Sequence, residues 1–212
     1  MSSPLLLDGA SDAPLTFLLA HGAGAPMDSP FMAAMATGLS QRDWGVVRFE
    51  FPYMQRSRQT GKKAAPDRFP VLEACFHEQI TALVDRPGLI IGGKSMGGRV
   101  ASQLLEPLGP SSNVRGCVCL GYPFHPPGHP EKLRTDHLMA LASPLLVLQG
   151  ERDTFGKPKE VEGYQLPAAI SVAWIPDGDH SFKPRKSSGR SLDQNLALAI
   201  DRMDGFAKQL LA

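Results

Sequence analysis

The sequence predicts an α/β fold, a mostly parallel, doubly wound sheet with helices on both of its faces. Short, continuously apolar segments alternate along the chain with longer segments whose apolar residues recur at helical spacing. Because the short segments lack the apolar–polar alternation of half-exposed strands, they are predicted to be strands buried on both faces. Polar residues that could carry chemistry directly follow these strands, at the edge of a parallel sheet where ligands bind.

The composition is that of one globular domain, which we expect to span residues 1–212. Hydrophobic residues make up 42% of the chain, charged residues make up 20%, and the formal net charge is +1. This balance argues against a nucleic-acid or anionic-membrane partner and favours a small-molecule substrate. No apolar run reaches the roughly 18 residues of a membrane span, and the N-terminus shows no signal-peptide pattern. We therefore expect a cytoplasmic protein with no membrane partner, and the sequence leaves a homodimer open.

The three cysteines, Cys75, Cys117 and Cys119, are predicted to be small core residues. Their number is odd, and none of them forms the C-x-x-C spacing of redox and metal sites. Cys117 and Cys119 share one face of a predicted strand, because side chains two residues apart point the same way. Free, buried thiols fit a reducing cytoplasm.

In the first half of the chain, strands are predicted from apolar runs and helices from helical spacing. The predicted elements are an edge strand at 5–7, a strand at 15–20, a helix at 29–41 with Asp28 or Ser29 as its N-cap, a strand at 44–51 and a helix at 72–83. The segment 55–66 is polar and basic and has no periodicity, so it is predicted to be a mobile loop. Its four cations are expected to be solvated, and a sharper hypothesis is that they recruit an anionic substrate group near the site.

The second half continues the alternation of strands and helices. The predicted elements are a strand ending at 91, a helix at 99–106, a strand at 116–121, a loop at 122–137, strands at 145–149 and 170–175, and an amphipathic helix at 192–211. Three histidines, His125, His129 and His137, fall in the predicted loop. Because a metal site would need a ligand spacing and a carboxylate that we do not identify here, we assign the histidines to anchoring or lining this loop and predict no metal.

The central motif is Gly93-Lys94-Ser95-Met96-Gly97, which lies between a predicted strand and a predicted helix. This is the G-x-S-x-G pattern of a nucleophile elbow, in which a strained turn lifts the serine hydroxyl clear of the sheet. Glycines are needed two residues either side, because side chains there would collide with the neighbouring backbone. We expect Lys94 to point into packing or solvent and Arg99 to cap or pair locally on its helix.

The same residues also match the phosphate-binding pattern G-x-x-x-x-G-K-[ST], from Gly88 to Ser95. In that motif a strand precedes the first glycine, and the four middle residues form a loop that surrounds phosphate. Here the four middle residues are themselves the predicted strand. The nucleotide-binding interpretation is therefore rejected, and no cofactor is expected.

A serine nucleophile needs a base, and the base needs an orienting carboxylate. After this motif the expected chain order is serine, acid, histidine, which is met by Ser95, Asp153 and His180, each following a predicted strand. Glu151 is the nearest alternative acid. Simpler interpretations are a tight turn at Ser95, a loop histidine at His180, and a helix cap at Asp153 for a helix starting after Pro158.

The oxyanion hole is predicted from the backbone. It would pair the Met96 N–H with an N–H from the loop after the first buried strand, most simply that of Ala23. Gly22 and Gly24 flank Ala23 and would let this backbone approach the substrate closely. We expect His21 to shape the loop by hydrogen bonds to the backbone and to take no part in the chemistry.

Four segments together resemble the α/β-hydrolase superfamily in its small, nearly lidless form. They are residues 21–24, 92–99, 121–128 and 149–153. The chain is similar in architecture to dienelactone hydrolases, with serine in place of their cysteine. More narrowly it resembles predicted bacterial hydrolases related to a vertebrate testis-expressed protein and to a domain in a subunit of a chromatin acetyltransferase complex. The resemblance covers roughly residues 15–210 and implies a single-domain α/β-hydrolase fold with little or no cap.

The sequence thus predicts a serine hydrolase that cleaves a small ester, thioester or related acyl substrate without a cofactor. The shortness of the chain predicts an open, shallow pocket. The alternative is a binding or scaffold module that keeps the fold without turnover, because relatives inside the chromatin complex imply such a role. Neither the acyl group nor the leaving group follows from the sequence.

Overall fold

A computed structural model describes residues 5–212 of the chain. It contains one seven-stranded sheet. The strands are β1 (Leu5–Asp8), β2 (Thr16–Ala20), β3 (Gly45–Phe49), β4 (Leu89–Lys94), β5 (Val114–Leu120), β6 (Leu145–Gly150) and β7 (Ile170–Ile175). The helices are α1 (Pro30–Ser40), α2 (Pro52–Thr60), α3 (Phe69–Ala82), α4 (Met96–Leu108), α5 (Pro158–Glu162) and α6 (Leu192–Gln209). The fold is therefore the α/β architecture predicted from the sequence.

The strands lie in the order β1-β3-β2-β4-β5-β6-β7. All neighbouring strands are parallel except β1, which pairs antiparallel with β3 at the sheet edge. The chain leaves β2 toward one edge and returns from β3 to the opposite side of β2, so the direction of winding reverses between β2 and β4. A reversal of this kind opens a crevice at the carboxyl ends of the two strands, where ligands bind in such sheets.

Each face of the sheet has its own hydrophobic core. Helices α3 and α4 pack together on one face, and α1 and α6 pack together on the other. Strand β2 supplies both cores, because Leu18 belongs to the first cluster whereas Phe17 and Leu19 belong to the second. All five residues of β2 are buried, which explains why its sequence is continuously apolar apart from Thr16.

The prediction of a mobile loop at 55–66 was wrong for the first half of that segment. Helix α2 covers Pro52–Thr60 and ends at Gly61 in the left-handed conformation. The two arginines are held by acids from outside the segment: Arg56 pairs with Asp67, and Arg58 pairs with Glu50 and Asp28. These long-range ion pairs stabilise helix α2, whereas its own sequence has no apolar periodicity from which a helix could be predicted.

The connection between β5 and β6, residues 121–144, contains only one short 3₁₀ turn, at Asp136–Ala140. It forms no separate layer, so the fold has no lid. The buried free thiols of Cys75, Cys117 and Cys119 lie in the core as predicted. Among residues 5–212, none of the helices combines the length and hydrophobicity needed to cross a bilayer.

Candidate active site

Ser95 lies at the junction of β4 and α4, in the centre of the sheet. Its backbone angles, φ 51° and ψ −109°, are strained for a residue with a side chain. Its N–H donates to the carbonyl of Leu120 on β5, and its carbonyl accepts from the N–H of Arg99 in the first turn of α4. The strand–turn–helix geometry predicted from the motif is therefore present, and β4 begins after Gly88, which contradicts a P-loop.

Two glycines of the motif make room for this turn. A Cβ on Gly93 would lie 2.2 Å from the carbonyl oxygen of Ala20, and a Cβ on Gly97 would lie 2.7 Å from the same oxygen. Neither distance is tolerable between a carbon and a backbone oxygen, so the turn can pack against β2 only if both residues are glycine. The close approach places Ser95 directly beside the loop that follows β2.

The three side chains predicted to act together form one hydrogen-bonded chain. The Ser95 hydroxyl lies 2.9 Å from His180 Nε2, and His180 Nδ1 lies 2.7 Å from Asp153 Oδ2. With Nδ1 protonated, the ring donates to Asp153 and accepts from Ser95. Asp153 follows β6, and His180 lies in the loop after β7, so the parallel sheet brings together residues far apart in sequence.

Asp153 is completely buried, and its carboxylate is fixed by more than the histidine. Gln149 Nε2 donates to Oδ2 at 3.0 Å, and the Phe155 N–H donates to Oδ1 at 2.9 Å. The alternative acid Glu151 instead accepts from the N–H of Asp177. The helix-cap interpretation of Asp153 was wrong, because the N-cap position of α5 is Lys157.

The loop after β2 is held by His21 and Tyr53. His21 Nδ1 donates to the Gly22 carbonyl at 2.7 Å, and Nε2 accepts from the Phe51 N–H at 3.1 Å. The Tyr53 hydroxyl lies 3.2 Å from the Gly22 carbonyl and 3.1 Å from that of Ala23. Burial lowers the pKa of His21, so the ring stays neutral as this bonding requires.

The backbone donors predicted for the oxyanion are free to bind a ligand. In the described chain, neither the N–H of Ala23 nor that of Met96 donates to a protein acceptor. Ala23 and its neighbours Gly22 and Gly24 line the same cleft as Ser95. N–H groups that are unused by the protein and lie beside a nucleophile can stabilise a developing negative charge.

The cleft beside Ser95 and His180 has a volume of about 410 Å³ and opens to solvent. Its walls are mostly apolar and include Phe31 and Met32 of α1 and Phe155, whose ring centroid lies 4.3 Å from that of His180. The volume lies in the range of small-molecule binding pockets. An open cleft agrees with the pocket that the short chain predicts.

The sequence missed Gln149, Tyr53 and Phe155, which surround the predicted site. Gln149 is the polar end of an otherwise apolar strand, which is a signal that could have been used. Tyr53 and Phe155 carry no such signal, because their role depends on where α2 and the loop after β6 fold back. Their contacts are set by the tertiary structure alone.

The prediction that Lys94 points into packing is confirmed by its position against Phe31, whereas the prediction of a local role for Arg99 on its helix was wrong. Lys94 lines the cleft, and its ammonium donates to the main-chain carbonyl of His180. Arg99 places its guanidinium 5.6 Å above the ring of Phe69 at the start of α3, so it packs against another helix. Its Nε is buried without a hydrogen-bond partner in the described chain.

Lys62 and Lys63 are exposed, as expected for solvated cations, whereas Arg56, Arg58, His125 and His137 take structural positions. Arg56 and Arg58 are paired with carboxylates and do not line the cleft, which contradicts the hypothesis that they recruit substrate. His125 bonds the Pro126 carbonyl and Glu160, and His137 bonds Ser102, so both anchor their loop. Within residues 5–212, no three His, Cys, Asp or Glu side chains are grouped to hold a metal ion.

Comparison with known proteins agrees with this architecture. A serine hydrolase homologue from Coxiella burnetii superposes with a TM-score of 0.71 at 15% identity, covering 95% of this chain and 94% of that chain. An α/β serine hydrolase without a lid from Xanthomonas campestris gives 0.68 at 22% identity, with coverages of 93% and 86%. An esterase domain from Rhodothermus marinus gives 0.68 at 16% identity, with coverages of 97% and 91%.

At these identities the structures show a shared fold. The family follows from the sequence itself, because the sequence model of the α/β hydrolase domain matches residues 13–208, nearly the whole chain. The strand order, the absence of a lid and the turn at Ser95 agree with that match. The chain belongs to the α/β-hydrolase domain family.

Proposed function

We propose that this protein is a serine hydrolase that cleaves a small ester, thioester or related acyl substrate. The observation that carries the proposal is the continuous hydrogen-bonded chain from the Ser95 hydroxyl through His180 to buried Asp153, at the wall of an open cleft. This is the arrangement that activates a serine hydroxyl at neutral pH. The similar structures described as serine hydrolases and an esterase support the same chemistry.

In the first half of the reaction, Ser95 Oγ attacks the carbonyl carbon of the substrate, and its proton passes to His180 Nε2. The carbonyl oxygen becomes an oxyanion held by the N–H groups of Met96 and Ala23. His180 then gives the proton to the leaving oxygen or sulfur, and the bond to the leaving group breaks. An acyl-serine remains.

In the second half, water attacks the acyl carbon and gives a proton to His180 Nε2. A second oxyanion forms and collapses, the bond to Ser95 Oγ breaks, and the proton returns from His180 to that oxygen. Throughout, Asp153 keeps Nδ1 of His180 protonated and stabilises the imidazolium. Gln149 and the Phe155 N–H hold the carboxylate in place for this role.

We further propose that the enzyme works in a reducing cytoplasm, since its cysteines are buried free thiols. The second candidate is a scaffold module, which follows from the resemblance to the branch that includes the chromatin complex subunit. That function does not require a serine, histidine and aspartate in bonding geometry. The presence of all three in contact favours catalysis.

The test is labelling with a fluorophosphonate probe, which reacts with activated serines. We expect stoichiometric labelling of the wild type and none in Ser95→Ala or His180→Ala. The matched control is Ser102→Ala, which removes a serine that also contacts a histidine, His137, and should leave labelling intact. The pKa of His137 is lowered to about 4 by burial and by Arg99, so it is a poor base. Folded wild type that resists labelling would refute the hydrolase and favour the scaffold.

A further inference from the structure

The residue immediately before the nucleophile places a positive charge in the wall of the cleft. Lys94 ends β4, lines the cleft together with Ser95 and His180, and is half-buried. Its Nζ donates to the main-chain carbonyl of His180 and lies 5.5 Å from the centre of the Phe31 ring. Among the described residues, Lys94 is the only lysine or arginine that lines this cleft.

This ammonium lacks a carboxylate partner. An ammonium has three donors, and in the described chain Lys94 has one hydrogen-bond acceptor and no acid within ion-pair distance. Asp153 and Asp179 act on it electrostatically from further away. Asp153 is bound to His180 and Gln149, and Asp179 accepts from the N–H groups of Ser181 and Lys183, so both carboxylates have other partners.

The surroundings of Lys94 disfavour an unpaired charge. Burial lowers its pKa to about 8, against the opposing effect of Asp153 and Asp179. The ammonium is still mostly protonated at neutral pH. An ion held against apolar walls without a counter-charge is costly, and an anion bound in the cleft would relieve that cost.

The rest of the cleft suits the body of an acyl chain. Phe31, Met32 and Phe155 give it apolar walls, and the volume of about 410 Å³ has room for a short acyl chain. An apolar slot with one cation at its wall matches a ligand that is apolar along its length and anionic at one end.

We propose that the cleft binds an acyl group ending in a carboxylate, and that this carboxylate pairs with the ammonium of Lys94. The substrates would be monoesters or monothioesters of short dicarboxylic acids, and Lys94 would determine that specificity. This inference rests on the proposed hydrolase function. A Cβ built on Gly121 would lie 2.8 Å from Lys94 Nζ and 3.2 Å from His180 Cε1, so the ammonium lies close to the ring that bonds Ser95 and the acyl chain between them would be short.

The experiment compares two esters that differ only in charge. They are the mono-4-nitrophenyl ester of adipic acid and 4-nitrophenyl 6-methylheptanoate, in which an isopropyl group replaces the carboxylate. Kinetics are measured for wild type, Lys94→Met and Lys94→Arg, with correction for uncatalysed hydrolysis. We expect wild type to prefer the anionic ester in kcat/KM and Lys94→Met to lower that ratio by about 10- to 100-fold, the value of a charge-assisted hydrogen bond. Lys94→Arg keeps the charge and should retain part of the preference.

Lys63→Met is the matched control, because it removes the same charge from an exposed position outside the cleft. It should leave the ratio between the two esters unchanged. The preference of the wild type should also decline as the pH rises past about 8, where Lys94 loses its proton. Thermal unfolding of each variant shows that the comparison is made on folded protein.

Two results would overturn the inference: a wild type that does not prefer the anionic ester, or equal losses on both esters in Lys94→Met. The second would mean that Lys94 only positions the main chain of His180. Calorimetric binding of adipate monomethyl ester to Ser95→Ala, with and without Lys94→Met, separates this inference from the hydrolase function. Lys94-dependent binding without any turnover by the wild type would support the carboxylate site and refute the hydrolase. Turnover without Lys94-dependent binding would support the hydrolase and refute the carboxylate site.

Discussion

Two histidines stand at the carboxyl ends of the sheet, and their surroundings differ in every respect that matters for chemistry. His21 follows β2 and uses both ring nitrogens on backbone groups, the Gly22 carbonyl and the Phe51 N–H. His180 follows β7 and uses both nitrogens on side chains, those of Asp153 and Ser95. The first arrangement fixes a loop, whereas the second can pass a proton.

Burial separates the two rings as well. His21 is completely buried and packs edge-on against Phe51 and Tyr53, so no substrate can reach it. The side chain of His180 is 26% exposed, with Phe155 on one face and the cleft beside it. A histidine becomes a candidate base through the partners and access that the fold provides, and position after a strand alone does not decide it.

The largest expected effect comes from removing the carboxylate that His180 bonds. Asp153→Asn should lower kcat by about 10³- to 10⁴-fold, because an amide can hold the ring in the wrong tautomer and cannot stabilise the imidazolium. Steady-state kinetics on an ester that the wild type cleaves is the measurement. Glu151→Gln is the control. Glu151 lies in the same turn as Asp153 but accepts from the N–H of Asp177, so this variant should leave kcat nearly unchanged. Equal losses in both variants would contradict the assignment.

The next effect concerns the structural histidine. His21→Leu leaves the buried Phe51 N–H without an acceptor, so we expect the free energy of unfolding to fall by about 2–4 kcal/mol. His77→Leu removes an exposed histidine of α3 and should change stability by less than about 0.5 kcal/mol. Both are measured by urea denaturation. A His21→Leu protein as stable as wild type would show that these backbone bonds are not needed.

A smaller effect is expected from the hydroxyl that supports the same loop. Tyr53→Phe removes the contacts to the carbonyls of Gly22 and Ala23, at a cost of about 1 kcal/mol in stability. If the Ala23 N–H stabilises the oxyanion, a loosened loop should lower kcat by about tenfold and leave KM unchanged. Tyr164→Phe, at a site away from the cleft, is the control. A change in KM alone would argue against this role.

The last expected effect is a dependence of stability on pH. Burial lowers the pKa of His21, and burial together with Arg99 lowers that of His137 to about 4, so the unfolded chain binds protons that the folded chain excludes. This contribution is complete above about pH 6.5 and is lost as the pH falls toward the folded pKa values. Denaturation at pH 7, 6 and 5 should show a shallower decline for His137→Gln than for wild type. Equal declines in stability for His137→Gln and wild type would contradict a contribution from His137.

The sequence predictions succeeded where the signal was local and failed where the structure depends on contacts between distant residues. The buried strands and the turn at Ser95 were predictable, because continuous apolar runs and glycines beside a strained residue are local signals. Helix α2 was missed, since its charges are neutralised by Glu50, Asp28 and Asp67 from elsewhere in the chain. Arg99 was misplaced, and the entry of Lys94 into the cleft was not predicted, because nothing local distinguishes a lysine packed in a cleft from one packed elsewhere or in solvent.

The sequence by itself determined the parallel sheet, the elbow and the chain order of Ser95, Asp153 and His180, because each depends on residues a few positions apart or on the direction of parallel strands. Only the tertiary structure decided which acid meets His180, which residues brace that acid, and that Lys94 enters the cleft. The bond between His180 and Asp153 joins residues 27 positions apart, and the bond between Lys94 and the His180 carbonyl joins residues 86 positions apart. A local sequence pattern cannot specify such contacts, because they depend on how strands and helices from distant parts of the chain pack together.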